Sequence, residues 1–346
     1  MHRSVFAAGL VGFCAFLGLY ATQPLLPTLE QVFGASKVGV SLTITAATGG
    51  VALAAPWVGV LAEMRGRKKI IVPAIWLLGV SYLLTALGNQ LSLLIAWRFL
   101  QGVLTPAVFV VAVAYINEEW PREQSGFVTS VYVSGTVLGG FTGRLLTGWL
   151  TPKLTWHGAF IVLGIVELGM AGAVSAWLPK AKLFTPATSV RQALNDMGSH
   201  FCNRSLLTVY SIGFTVLFSL VATFTYISFH LAAPPFNLGP QALGLLSTVY
   251  LVGVVVTPYA GRWSARVENW KLLSLAQCLS LVGLLLTLCN ALPVIVLGLT
   301  LCSTGVFVCQ LVTNRAIGIV ANRARASAVG LYVTLYYLGG FVGSTA

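Results

Sequence analysis

Gly39 to Lys69 reads GVSLTITAATGGVALAAPWVGVLAEMRGRKK. Residues 39–61 carry no charge at all, and their number is the ~20 a helix needs to cross the hydrocarbon of a bilayer. The run closes on Arg65, Arg67, Lys68 and Lys69, and a second uncharged run starts at once, over 70–88. Two long apolar runs hinged on a knot of cations form a transmembrane hairpin, with the cations holding its turn at the inner face.

The same pattern extends in both directions. Eleven runs of this size lie at 5–27, 39–61, 70–88, 92–116, 126–149, 158–178, 206–230, 241–261, 272–290, 293–314 and 326–346. Their length excludes barrel strands, which alternate over about ten residues. Composition agrees: of 346 residues, 57% are hydrophobic and 8% charged, too few charges to cover a soluble surface. The first run is too long for a signal peptide and lacks a small-residue cleavage site, so it reads as a retained span. The net charge of +12 does not indicate nucleic acid, because the cations sit in small groups between apolar runs instead of on one solvated face. The six cysteines show neither CxxC nor Cys/His metal spacing and read as reduced packing residues; no cofactor and no metal is expected.

Orientation follows from counting cations. With a cytoplasmic N-terminus the inner segments hold Arg3, Arg65, Arg67, Lys68, Lys69, Arg122, Lys180, Lys182, Arg191, Arg204, Arg262, Arg266, Lys271, Arg315, Arg323 and Arg325; the outer ones hold Lys37 and Lys153, and Arg98 and Arg144 fall within spans. The excess of positive charge on one side places the N-terminus inside. The longest polar segment follows the sixth run. The expected division is therefore a six-helix bundle at 1–178, a cytoplasmic linker at 179–205 and a second bundle at 206–346.

The two bundles repeat each other. Leu138-Gly139-Gly140-Phe141 with Gly143 returns as Leu338-Gly339-Gly340-Phe341 with Gly343; Tyr132-Val133 returns as Tyr332-Val333; Pro56 and Gly59 match Pro258 and Gly261. A parallel six-span repeat is one of the builds of secondary transporters, with the substrate site near the midplane between the halves. The sixth run has no counterpart after the eleventh, so a twelfth span is expected beyond this sequence.

Three motifs carry a family resemblance. Gly59-Val60-Leu61-Ala62-Glu63-Met64-Arg65-Gly66-Arg67-Lys68-Lys69 resembles the G-x-L-a-D-r-x-G-r-k signature of the major facilitator superfamily, with Glu63 for Asp and Met64 for the first Arg. Arg98-Phe99-Leu100-Gln101-Gly102 resembles its R-x-x-q-G. Gly126, Gly135, Gly139, Gly140 and Gly143 follow the antiporter pattern G-x8-G-x3-G-P-x2-G-G, with Gly140 for Pro and Arg144 for the last Gly. Tyr20-Ala21-Thr22-Gln23-Pro24 and the stretch 139–148 are similar to the YnfM-type branch of the drug:proton antiporter and sugar-efflux group. The resemblance implies an all-α membrane protein with the major facilitator fold. It also implies a cytoplasmic gate at Gly59, Glu63, Gly66, Arg67 and Lys68 that helps hold the outward-open state, and a part for Arg98 in proton coupling.

Other residues join this set on chemistry. An ionisable group inside a span marks a functional site by default. Glu167 is the one acid deep in a run, and by depth alone it can pair with Arg98 or Arg144, a structural ion pair being the preferred reading and a proton carrier the functional one. For Arg98 the competing reading is snorkelling to the outer interface. Tyr20, Gln23, Gln101, Tyr226, Gln310 and Asn314 are the candidate cavity set. The first span carries no acid before Glu30, which speaks against a cationic drug. An enzyme would need nucleophile, base or metal clusters at membrane depth, and His2, His157, His200 and His230 are scattered; a channel would need a filter loop or a charged ring. The expected protein is no enzyme. It is a monomeric, multi-pass transporter of the bacterial inner membrane, exporting small organic molecules such as drugs or sugars in exchange for protons. Uptake of small organic anions with protons is the alternative, because Arg98 and Arg144 leave surplus positive charge.

Overall fold

The fold is described by a computed structural model over residues 2–179, 203–263, 267–320 and 325–345. It is helical throughout the described residues. The helices are α1 (His2–Leu17), α2 (Leu26–Phe33), α3 (Lys37–Arg65), α4 (Arg67–Thr85), α5 (Leu91–Glu119), α6 (Arg122–Trp177), α7 (Arg204–Ala232), α8 (Pro240–Leu245), α9 (Val252–Trp263), α10 (Asn269–Leu286), α11 (Leu292–Val320) and α12 (Arg325–Gly343). Short 3-10 turns at Gln23–Leu25 and Leu246–Leu251 link α1 to α2 and α8 to α9. Among the described residues eight stretches are long and apolar enough to cross a membrane, seven within single helices and one, Pro240–Gly261, running through α8, its 3-10 turn and α9.

Local chemistry sets the ends. Ser36 caps α3, its hydroxyl accepting the Gly39 amide at 3.1 Å. Gly66 turns the chain from α3 into α4 at φ 91°, a backbone region in which a side chain is strained. The 56 residues of α6 would extend about 84 Å at 1.5 Å per residue, far more than one bilayer. The helix reverses at Thr155, where φ is 63° and ψ 171°, and so supplies two limbs.

Each half is clamped by glycines. A Cβ on Gly135, Gly139 or Gly143 of α6 would collide with the backbone carbonyl of Gly9, Phe13 or Leu17 of α1. A Cβ on Gly339 or Gly343 of α12 would meet the carbonyl of Phe214 or Phe218 of α7 in the same way. Tyr132 lies across Gly12, and Tyr332 across Gly213. The repeat seen in the sequence is thus a repeat of helix contacts, made possible by residues small enough for backbones to touch.

Across the halves, helices meet at the end that carries Lys37 and Lys153. There the Thr45 hydroxyl of α3 lies 2.8 Å from that of Ser344 just beyond α12, Phe341 packs over Gly49, Gly148 of α6 abuts Pro240 and Gly244 of α8, and the Lys37 ammonium stands 5.8 Å from the Phe229 ring centre. Towards the opposite, basic end, Ser130 and Ser134 of α6 and Thr208 and Thr215 of α7 are exposed although they belong to apolar helices. Large apolar side chains such as Leu53, Trp57, Ile165, Leu281 and Leu288 are exposed on the outside. That is the surface of a protein whose solvent is lipid.

Candidate functional site

Arg98 of α5 is fully buried, which rules out the snorkelling alternative. Its guanidinium donates to the carbonyl of Thr43 at 3.2 Å, to that of Gly18 at 2.8 Å, to that of Leu19, and to Gln101 Oε1 at 2.7 Å. Gly18 and Leu19 belong to the break between α1 and α2, where the regular helix ladder has stopped. The Gly18 carbonyl already accepts the Ala21 amide at 3.2 Å, and Arg98 adds a second donor there and one at Leu19, bracing the broken first span. Gln101, placed in the cavity set on sequence, is turned away from open space: its carbonyl serves Arg98 and its amide donates to Thr85 at 2.9 Å.

Glu167, in the second limb of α6, is equally buried, and neither of its oxygens accepts a bond from an N–H or O–H group. Its polar neighbours are the Cys14 thiol and Tyr82, and the Tyr82 hydroxyl presses on Gly18, whose carbonyl Arg98 holds. The ion pair expected from depth along the helix is therefore absent; Arg98 and Arg144 both spend their donors elsewhere. Depth fixed the level of Glu167, but the rotation of α6 turns it towards α1 and α4.

Arg144 lies on the seam between the halves, 6% exposed. Nε donates to Gln23 Oε1 at 2.8 Å, and Nη1 to the Gly140 carbonyl at 2.7 Å. The guanidinium carbon stands over the ring of Tyr20 at 4.7 Å and that of Tyr250 at 4.4 Å, one from each half. Tyr20 and Gln23 thus come together as a pair. Tyr250 belongs with them, and its position in the 3-10 turn at the α8–α9 break is what brings it there. The other cavity candidates lie apart: Tyr226 donates to the Ser344 carbonyl at 3.3 Å, and Gln310 and Asn314 flank Thr313 on α11, whose hydroxyl is 3.1 Å from that of Tyr332.

At the basic end Arg67 grips Glu118 with Nη2 at 2.7 Å and Nε at 3.2 Å, a two-pronged pair. Lys68 donates to the carbonyls of Ser175 and Leu178, closing the end of α6 where a cation is favoured. Glu118 is a partner that the sequence motif did not contain. Gly59 and Glu63 lie towards the end of α3, and the surroundings of Gly59 and the side chain of Glu63 are outside what is described. Gly126 touches nothing that a Cβ would meet, unlike the other antiporter-pattern glycines on the α1 face. Among the described residues no group of three His, Cys, Asp or Glu side chains could hold a metal ion.

A helical chain with an apolar outside, few charged groups within its spans and those buried, and two repeated halves that meet at one end is a polytopic membrane carrier. The chain belongs to the Major Facilitator Superfamily, whose family model matches residues 8–344. It is 32% identical over 345 residues to an uncharacterized transporter of Buchnera aphidicola from Schizaphis graminum, covering 99% of this chain and 84% of that one. It is also 32% identical to the inner membrane transport protein YnfM of Escherichia coli K12, over 99% of this chain and 82% of the other, and 30% identical to the MFS-type transporter YybF of Bacillus subtilis, over 99% and 85%. In fold it is similar to a bacterial homologue of the human lysosomal transporter Spinster, in an inward-facing and unoccupied conformation, with a TM-score of 0.78 at 14% identity over 99% of this chain and 81% of that one. The nucleoside transporter NupG gives 0.78 at 11% identity, over 99% and 90%. The protein is a multi-pass secondary transporter.

Proposed function

We propose that the protein exports small organic molecules in exchange for protons by alternating access, as a monomer in the bacterial inner membrane with its N-terminus in the cytoplasm. Its working units are a first bundle at 1–178 and a second from 206, joined by the linker at 179–205. The observation that carries this reading is the one-ended seam. The halves meet around Thr45, Ser344, Gly148 and Gly244, while hydroxyl side chains of α6 and α7 are exposed nearer the basic end. Polar groups within spans face a water-filled cavity. With the basic end cytoplasmic, this conformation opens inward, ready to load a solute for export.

Glu167 supports proton coupling: it is a buried acid beside the Cys14 thiol with no cation paired to it among the described residues, one tyrosine away from the Gly18 carbonyl that Arg98 holds. Arg98 sets the geometry and Glu167 carries the proton. Gly59, Glu63, Gly66, Arg67 and Lys68 form the cytoplasmic gate, with Glu118 as an added member.

Flux in proteoliposomes tests this. A pH gradient, in which protons run from the acid to the alkaline side, must drive labelled solute the opposite way, and Glu167→Gln must abolish the dependence on the gradient. Solute moving with the protons would replace export by uptake. Gradient dependence that survives in Glu167→Gln removes that residue from the mechanism.

A further inference from the structure

We propose that Arg144 is the recognition site for a carboxylate, and that the transported solute is a small organic acid in its anionic form; this rests on the transport reading but holds for either direction. Three observations lead there. The first is the unmatched charge. The ion pairs among the described residues are Arg67–Glu118 and Lys271–Glu268, so no described carboxylate neutralises Arg144. Nε and Nη1 donate to Gln23 and Gly140, and the further side-chain contact is with the neutral Tyr250 hydroxyl, so every partner of the cation is uncharged. A buried cation calls for an anion and a full set of acceptors.

The second is that packing does not require it. The repeat aligns Arg144 with Ser344, one residue after Gly143 and Gly343. Ser344 closes its own seam with a neutral hydroxyl contact to Thr45. The same fold position is thus filled without a charge in the other half.

The third is shape. The rings of Tyr20 and Tyr250 crowd the guanidinium carbon at 4.7 and 4.4 Å, so a ligand can reach only the part of the rim that they leave free. Edge-on approach by two parallel hydrogen bonds is what a carboxylate offers to arginine. On one side Gln23, Ser228 and Ser247 line a space of about one water. On the other stands Gly140, where a Cβ would meet only Arg144 itself and Phe16 within 4 Å, so no side chain of that residue screens the edge.

Binding to the purified full chain in nanodiscs, without any gradient, tests this apart from coupling. The probes are acetate, lactate, succinate and benzoate, each paired with its neutral amide at one pH and ionic strength, and thermal unfolding is read. At least one acid raises the midpoint while its amide does not. Arg144→Gln weakens that acid at least tenfold, and Arg144→Lys, which keeps charge but loses the fork, falls between. If Arg144→Gln does not survive purification, Tyr250→Leu carries the test, with a smaller shift expected and an unchanged one counting against the site. An amide as effective as its acid, an acid shift retained in Arg144→Gln, or no shift with any acid overturns the proposal. Acid binding intact in a protein that shows no gradient-driven flux would sink the transport reading and leave the anion site standing.

Discussion

Arg144 and Ser344 occupy matching places in the two halves, and the contrast between them extends to everything around them. On the Ser344 side, α7 runs unbroken from Arg204 to Ala232 and the seam is a hydroxyl pair. On the Arg144 side, the first span breaks between Leu17 and Gln23, Arg98 holds the break, and Tyr20 and Gln23 leave it to embrace Arg144. Among the described residues the four buried charged side chains, Arg67, Arg98, Arg144 and Glu167, all belong to the first half. The glycine clamps are nearly identical in both. A duplicated scaffold has thus kept its packing in two copies and placed its buried charges in one.

The largest effect expected from breaking this asymmetry is at Arg98. Arg98→Ala strips donors from three buried carbonyls, a change on the order of 3–5 kcal/mol for an abandoned buried polar cluster. Gradient-driven flux should vanish while the protein still inserts, as a membrane-fraction blot beside the flux assay would establish; normal flux would remove Arg98 from the mechanism. Next come the clamps. Gly139→Val and Gly339→Val each force a side chain into a carbonyl, and each should cost about 1–3 kcal/mol. The two should be alike in thermal unfolding, and a strong inequality would break the symmetry of the packing. Smallest is Ser344→Ala, the loss of one hydrogen bond, about 1 kcal/mol. It should leave transport within a few-fold, and a loss as severe as that at Arg144 would make the two seams equivalent after all.

Much of the scaffold was legible because a bilayer leaves few solutions. The run at 39–61 became Lys37–Arg65 and that at 92–116 became Leu91–Glu119, each extended by a turn or less at its ends. The two runs at 126–149 and 158–178 are the limbs of one folded helix, α6. The breaks were harder to see. Leu17–Gln23 and Leu246–Leu251 carry no charge and sit within longer uncharged runs, so a search for uncharged runs passes over them. Both matter to the site, the first by presenting the Gly18 and Leu19 carbonyls to Arg98 and the second by bringing Tyr250 over Arg144. Glu167 was misread for a related reason: position along a helix says how deep a residue lies but not which way it points. Glu118 was counted among the acids, yet its link to Arg67 joins two helix ends 51 positions apart, which no local motif contains.

The grip of Arg98 on Gly18, Leu19 and Thr43 is entirely with main-chain oxygens. Any amino acid at position 19 offers the same atom, so the identity of that side chain is free to drift while the tie persists. A survey of paired changes between relatives would find no partner for Arg98 at Leu19, however tightly the two are bound.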